Sequence, residues 1–170
     1  MKKIILKSFQ AFLITVVFMF AIVIQPAVAS SGFIVNQLSE KCIDVYGNPG
    51  VNNEDNIQLY TCEFGKPHTD QQWTVRPDGF IQNQLSEKCI DVYGSPGVNN
   101  EDNIQLYTCE FGQPHTDQQW TVRPDGFIQN QLSGKCIDVY GSPGVNNEDN
   151  IQLYTCEFGK PDTDQRWYVD

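Results

Sequence analysis

Residues 32–78, GFIVNQLSEKCIDVYGNPGVNNEDNIQLYTCEFGKPHTDQQWTVRPD, decide the fold, because the stretch occurs three times over. Aligned on Gly32, Gly79 and Gly126, the chain superimposes on itself without a gap at a period of 47 residues. The first two copies differ only at Val35/Gln82, Asn48/Ser95 and Lys66/Gln113. The third departs more, carrying Gly134, Lys160, Asp162, Arg166, Tyr168 and Asp170 in place of Glu87, Gln113, His115, Gln119, Thr121 and Arg123. Exchange that is mostly polar for polar places those positions at the water. A fixed period of this length marks a repeat architecture, in which each copy is one supersecondary unit.

Within a copy the apolar pattern has period two and no helical period. It reads as four short strands, over 32–34, 41–46, 56–62 and 72–75, and the later copies follow suit. Turn formers separate them: 47–50 (Gly-Asn-Pro-Gly), the polar run 52–56, 65–67, and Pro77-Asp78-Gly79, which joins one copy to the next. Three such units cannot close a propeller, which needs about four blades or more. A β-solenoid would have shorter, more regular turns. Three four-stranded units around a pseudo-threefold axis make a β-trefoil, and an all-β trefoil with repeats 32–78, 79–125 and 126–170 is the expected fold. Closure also removes exposed strand edges. Alternation puts Ile43, Val45, Ile57 and Leu59 on the core face, with Cys42, Asp44, Tyr46, Gln58, Tyr60 and Cys62 on the other. Phe33, Ile34 and Trp73 are expected to join the core, as are Trp120 and Trp167. Tryptophans in register are packing residues, and they hold a site rather than touch its ligand.

Ahead of the repeats, Lys2, Lys3 and Lys7 precede an apolar run over 11–24, and Ala27-Val28-Ala29 follows. That order is a signal peptide, residues 1–29, cleaved after Ala29. The run is shorter than the roughly 20 residues of a spanning helix and is closed by Gln25-Pro26. The expectation is a secreted protein, periplasmic or extracellular, with residues 30–170 as its domain and no membrane insertion. All 21 acidic residues lie after residue 29 with eight basic ones, a formal charge of −13. Such a surface repels nucleic acid, anionic membrane and polyanionic sugars.

Six cysteines in an exported domain point to disulfides. Threefold symmetry leaves two pairings: within repeats (Cys42–Cys62, Cys89–Cys109, Cys136–Cys156), or cyclically between them (Cys62–Cys89, Cys109–Cys136, Cys156–Cys42). The first closes local loops, each contributing about 3 kcal/mol by loop-closure entropy, and is preferred. Bridging Cys42 to Cys62 across two antiparallel strands sets a register in which facing residues have numbers summing to 104, so that Asp44 lies opposite Tyr60 and Tyr46 opposite Gln58. A carboxylate beside an aromatic ring suits a sugar. The ring meets the C–H face of a pyranose and the carboxylate accepts from its hydroxyls.

At these residues the sequence resembles the ricin B-chain-like lectins, also called R-type lectins or QxW carbohydrate-binding modules. Each copy ends in Gln-x-Trp (71–73, 118–120, 165–167), and each carries Cys-Ile-Asp-Val and Ile-Gln-Leu-Tyr-Thr-Cys at the family's spacing. The resemblance implies a β-trefoil with up to three shallow sugar pockets, for galactose-type sugars or xylan, without metal or cofactor. It carries the hydroxyl-anchoring aspartate to Asp44, Asp91 and Asp138. The stacking aromatic falls on Tyr60, Tyr107 and Tyr154, and the accompanying glutamine on Gln58, Gln105 and Gln152. The Gln of Gln-x-Trp falls on Gln71, Gln118 and Gln165, with a structural and supporting role. Before it the family usually has Asn, where this chain has Asp70, Asp117 and Asp164; an aspartate cannot donate the amide hydrogen.

Other chemistries fit less well. His68 and His115 have no ligand partners at metal spacing, and the third copy has Asp162 there. The acidic run 52–56 lacks the alternating ligands and mid-loop glycine of an EF-hand loop. An enzyme needs an asymmetric set of acid, base or nucleophile, whereas every candidate here recurs three times, so no catalysis is expected. The reading is a multivalent lectin acting on glycans or polysaccharide. The alternative keeps the trefoil and makes it a protein-binding or inhibitory module acting through its loops.

Overall fold

A computed structural model describes residues 29–170; the signal peptide expected over 1–29 lies, except for Ala29, outside the described residues. The first repeat supplies β1 (Ser30–Asn36), β2 (Cys42–Val45), β3 (Ile57–Tyr60) and β4 (Gln72–Val75). The second supplies β5 (Ile81–Asn83), β6 (Cys89–Val92), β7 (Ile104–Tyr107) and β8 (Trp120–Val122). The third supplies β9 (Ile128–Asn130), β10 (Cys136–Val139), β11 (Ile151–Tyr154) and β12 (Trp167–Val169).

The strands form a β-trefoil. The first and last strand of each repeat make a closed ring. β1 pairs with β4, β4 with β5, β8 with β9, and β12 returns to β1. Single bridges at Phe80–Gln119 and Phe127–Arg166 complete the circuit. The hairpins β2–β3, β6–β7 and β10–β11 cap one end, joined around the axis by bridges Asn56–Gln105, Asn103–Gln152 and Gln58–Asn150.

Each repeat sends the same six side chains inward. In the first these are Ile34, Ile43, Val45, Ile57, Leu59 and Trp73, all fully buried in one cluster with their counterparts. Burial of these β-branched and aromatic side chains supplies the main driving force. Trp73 Nε1 donates to the Ile43 carbonyl at 3.1 Å, tying the ring strand to the hairpin behind the pocket. Phe33 is buried but not there. It packs with Val35 and Cys42 in a small separate cluster and meets the Phe64 ring edge-on at 4.8 Å, because odd positions of β1 face away from the barrel interior.

The three disulfides are those within repeats, with Cα–Cα distances of 5.0 Å. The register differs from the expected one by two residues. Cys42 faces Tyr60 and Asp44 faces Gln58, with numbers summing to 102. β3 ends at Tyr60, and the chain beyond it turns so that Cys62 reaches Cys42 diagonally. A bridge therefore does not require directly facing partners. A shift of two preserves which face each side chain takes, so the division into core and site faces holds.

The positions varied in the third repeat are exposed, except half-buried Arg166. One of them has a backbone reason. Glu40 and Glu87 sit at φ of 57° and 60°, and the equivalent Gly134 at 70°, a left-handed conformation that glycine adopts freely.

Candidate functional site

Each hairpin and the loop before Gln-x-Trp enclose one hollow, so there are three related by the pseudo-threefold axis. In the first, Asp44 and Gln58 form the floor, and Tyr46, Tyr60 and the 47–49 loop form walls. Asp44 is not a solvated strand carboxylate on an open face, as alternation alone suggests. It is only 8% exposed. The Gln58 amide donates to Asp44 Oδ1 at 2.7 Å and the Gln71 amide to Asp44 Oδ2 at 2.9 Å. The same pair of bonds holds Asp91 (from Gln105 and Gln118) and Asp138 (from Gln152 and Gln165).

Gln71 does not line the hollow. It is fully buried, and its amide also donates to the Thr61 carbonyl at 3.1 Å while its oxygen accepts from Glu63 N at 2.8 Å. Gln71, Gln118 and Gln165 thus position the aspartate and pin the strand end after Tyr60, Tyr107 and Tyr154.

Asp70 Oδ2 accepts from Gly50 N at 2.6 Å, and the copies Asp117 and Asp164 do the same with Gly97 and Gly144. This close approach of the loop requires glycine. A Cβ on Gly50 would lie 2.5 Å from Val45 Cγ1 and 2.7 Å from the Tyr46 carbonyl oxygen. Asp44 and Asp70 line the same hollow, as do Asp91 with Asp117 and Asp138 with Asp164. Burial raises all six carboxyls, reaching about 6 for Asp70, Asp91 and Asp164, and neighbouring carboxylates add to the rise. An Asn at position 70 could also accept from Gly50 without the second charge. The aspartate therefore puts a second carboxyl beside each floor aspartate.

The structure brings Asp44, Gln58, Tyr60 and Asp70 to one hollow, and likewise Asp91, Gln105, Tyr107 and Asp117, and Asp138, Gln152, Tyr154 and Asp164. It adds residues that sequence reasoning did not select. Tyr46, Tyr93 and Tyr140 are 62–64% exposed at the pocket wall, well placed as flat apolar surfaces. Their signal was their recurrence directly after Cys-Ile-Asp-Val. Glu63 lines the first hollow and is held low by its bond to Lys66; Lys160 does the same for Glu157 in the third. Each hollow also receives a glutamate from another repeat: Glu148 in the first, Glu54 in the second, Glu101 in the third. No sequence spacing signals that contact, because it depends on how the repeats pack.

The family model for the ricin-type beta-trefoil lectin domain matches residues 30–167. The chain belongs to that family. Among solved structures, this lectin-family chain is similar to the hemolytic lectin CEL-III, at 28% identity with a TM-score of 0.65 over 82% of this chain and 30% of that one. It therefore spans less than a third of that lectin's length. It is similar to the designed threefold-symmetric protein ThreeFoil, at 27% identity and a TM-score of 0.68, covering 82% of this chain and 98% of that one. It also shares its fold with the C-half of the earthworm R-type lectin, solved in complex with GalNAc, at 18% identity and a TM-score of 0.66, covering 82% and 97%. No curated protein sequence matches this chain. Among the described residues no helix is long and apolar enough to cross a membrane.

Proposed function

We propose that this chain is a secreted, non-catalytic lectin with up to three shallow sugar sites, floored by Asp44, Asp91 and Asp138, that engages galactose-type or xylan-type glycans multivalently. The observation that carries the reading is the threefold recurrence of one constellation at the floor of a hollow. In it an aspartate is held by two glutamine amides beside an exposed aromatic ring. Family membership supports the same reading, and the earthworm lectin with this fold was solved with GalNAc bound. The two amides fix the carboxylate so that its remaining lone pairs face the hollow, ready to accept from adjacent sugar hydroxyls. A tyrosine ring then covers the apolar sugar face. Single sites of this depth bind weakly, and simultaneous engagement on one surface raises avidity by about 100-fold or more where spacing permits.

The basic, apolar and small-residue order of residues 1–29 and the three disulfides support export. A glycan array tests the proposal. The wild type is expected to bind a set of glycans, and the protein with Asp44, Asp91 and Asp138 all changed to Ala is expected to lose them. Binding that survives the triple change, or a protein partner retained in excess free sugar, would overturn it.

A further inference from the structure

The acidity of this chain is not an even coat. Thirteen of its 21 acidic residues line the three hollows, against two of the eight lysines and arginines after residue 29. Those two, Lys66 and Lys160, are ion-paired to Glu63 and Glu157 at the rim. The middle hollow is lined by Asp91, Glu110, Asp117 and Glu54 with no lysine or arginine at all.

The glutamate contributed by another repeat is held in place by its backbone. Glu54 N donates to the Leu106 carbonyl at 2.8 Å and Leu106 N to the Asp55 carbonyl at 2.9 Å, so the loop 52–56 is fastened to β7. Thr108 Oγ1 adds a bond to Asn53 Oδ1 at 3.1 Å. Glu101 is fastened to Leu153, and Glu148 to Leu59, by equivalent bonds. All three glutamates have φ near +70° (69°, 69° and 71°), where a glycine or asparagine is the comfortable residue. A carboxylate is present there in every repeat despite that cost.

Two tyrosines line each hollow together with these carboxylates, Tyr93 and Tyr107 in the middle one. Carboxylates together with aromatic faces form a cage for an ammonium group. Position 70 points the same way, since an aspartate supplies acceptors only, and an ammonium supplies three donors.

Resting on the sugar-site reading above, the geometry points to a narrower ligand class: the pockets prefer sugars carrying a free, protonated amine, that is de-N-acetylated hexosamines, over neutral or N-acetylated ones. N-acetylation removes the charge and leaves one amide donor, and a plain hydroxyl offers none of the charge.

The test is calorimetric titration of the whole protein at about pH 7 with galactosamine, galactose, N-acetylgalactosamine and ethanolamine, in about 20 mM and about 500 mM salt. Galactosamine is expected to bind at least about tenfold more tightly than galactose or its N-acetyl form at low salt, with the advantage shrinking at high salt. The triple change Glu54→Gln, Glu101→Gln and Glu148→Gln is expected to cut that advantage several-fold. Equal or weaker binding of galactosamine overturns the amine preference while leaving the lectin reading intact. Ethanolamine binding as tightly as galactosamine also overturns it, by showing charge attraction without sugar recognition. Absence of binding by all of the sugars overturns both.

Discussion

The first and middle pockets come from stretches that differ at three positions, yet one hollow has a volume of about 530 Å³ and the other about 1180 Å³. The third, at about 620 Å³, narrows which sequence difference goes with size. It shares Ser142 with the middle repeat's Ser95, where the first has Asn48, so that difference does not set the size. It shares Lys160 with the first repeat's Lys66, where the middle has Gln113. In the narrow pockets the lysine bonds to a rim glutamate; among the described residues the Gln113 side chain makes no such bond to Glu110, and only Thr116 bonds that carboxylate, at 2.5 Å. The rim residue, Lys66 or Lys160 against Gln113, is thus the sequence difference that tracks pocket size while the floors stay the same.

The strongest way to break the comparison is to remove the floor it holds constant. Asp44→Ala and Asp91→Ala each leave one buried glutamine amide, that of Gln58 or Gln105, without its acceptor and take one of two from Gln71 or Gln118. Each change is expected to abolish one site in a titration and to cost about 1–3 kcal/mol in chemical denaturation. A smaller effect is expected at the rim. Gln113→Lys is expected to narrow the middle pocket and to weaken branched oligosaccharides by about tenfold, equivalent to about 1.4 kcal/mol, with monosaccharides little affected. Lys66→Gln is expected to do the reverse in the first pocket, and array profiles of the two variants check both directions.

The carboxylate pairs give a milder, pH-dependent signature common to all pockets. Asp70, Asp91 and Asp164 hold their protons up to about pH 6 when folded, above the ordinary aspartate value, so the folded state binds protons more readily than the unfolded chain. Stability therefore rises as pH falls through about 6 towards 4. Glu63, Glu157, Asp78 and Asp125 are held low by their cationic partners, and their contribution is lost in stronger acid. Tm is expected to be higher at about pH 5 than at about pH 7.5 and to fall again in stronger acid. Replacing Asp70, Asp117 and Asp164 by Asn is expected to flatten the rise, as thermal denaturation across pH shows. The smallest effect concerns the backbone. Glu87→Gly, which copies Gly134, is expected to stabilise the fold by up to about 1 kcal/mol, partly offset by glycine's greater freedom when unfolded.

Much of this was legible in the sequence because the repeat reports every local decision three times. The trefoil followed from counting strands and copies. The inward set Ile43, Val45, Ile57 and Leu59 followed from alternation, and the local disulfides from symmetry, which left two pairings, together with the preference for closing local loops. What needed coordinates was whatever depends on chain direction between elements. The turn after Tyr60 lets Cys62 bridge diagonally, which moved Asp44 from Tyr60 to Gln58. The burial of Asp44 involves Gln71, brought to it from 27 residues away, and the arrival of Glu148, 88 residues beyond Tyr60, depends on packing between repeats. Phe33 went to a separate cluster because its strand shows that side chain away from the barrel, which an apolar run alone does not reveal.

The most direct test of the account follows the side-chain amide resonances of Gln58, Gln105 and Gln152 while isotope-labelled protein is titrated with galactose. Each of these amides bonds to a floor aspartate and lines its hollow. The account predicts that all three shift as sugar is added, and that each loses its response when the aspartate of its own repeat is changed to Ala. Shifts clustered elsewhere on the surface, with these three amides unmoved, would contradict it.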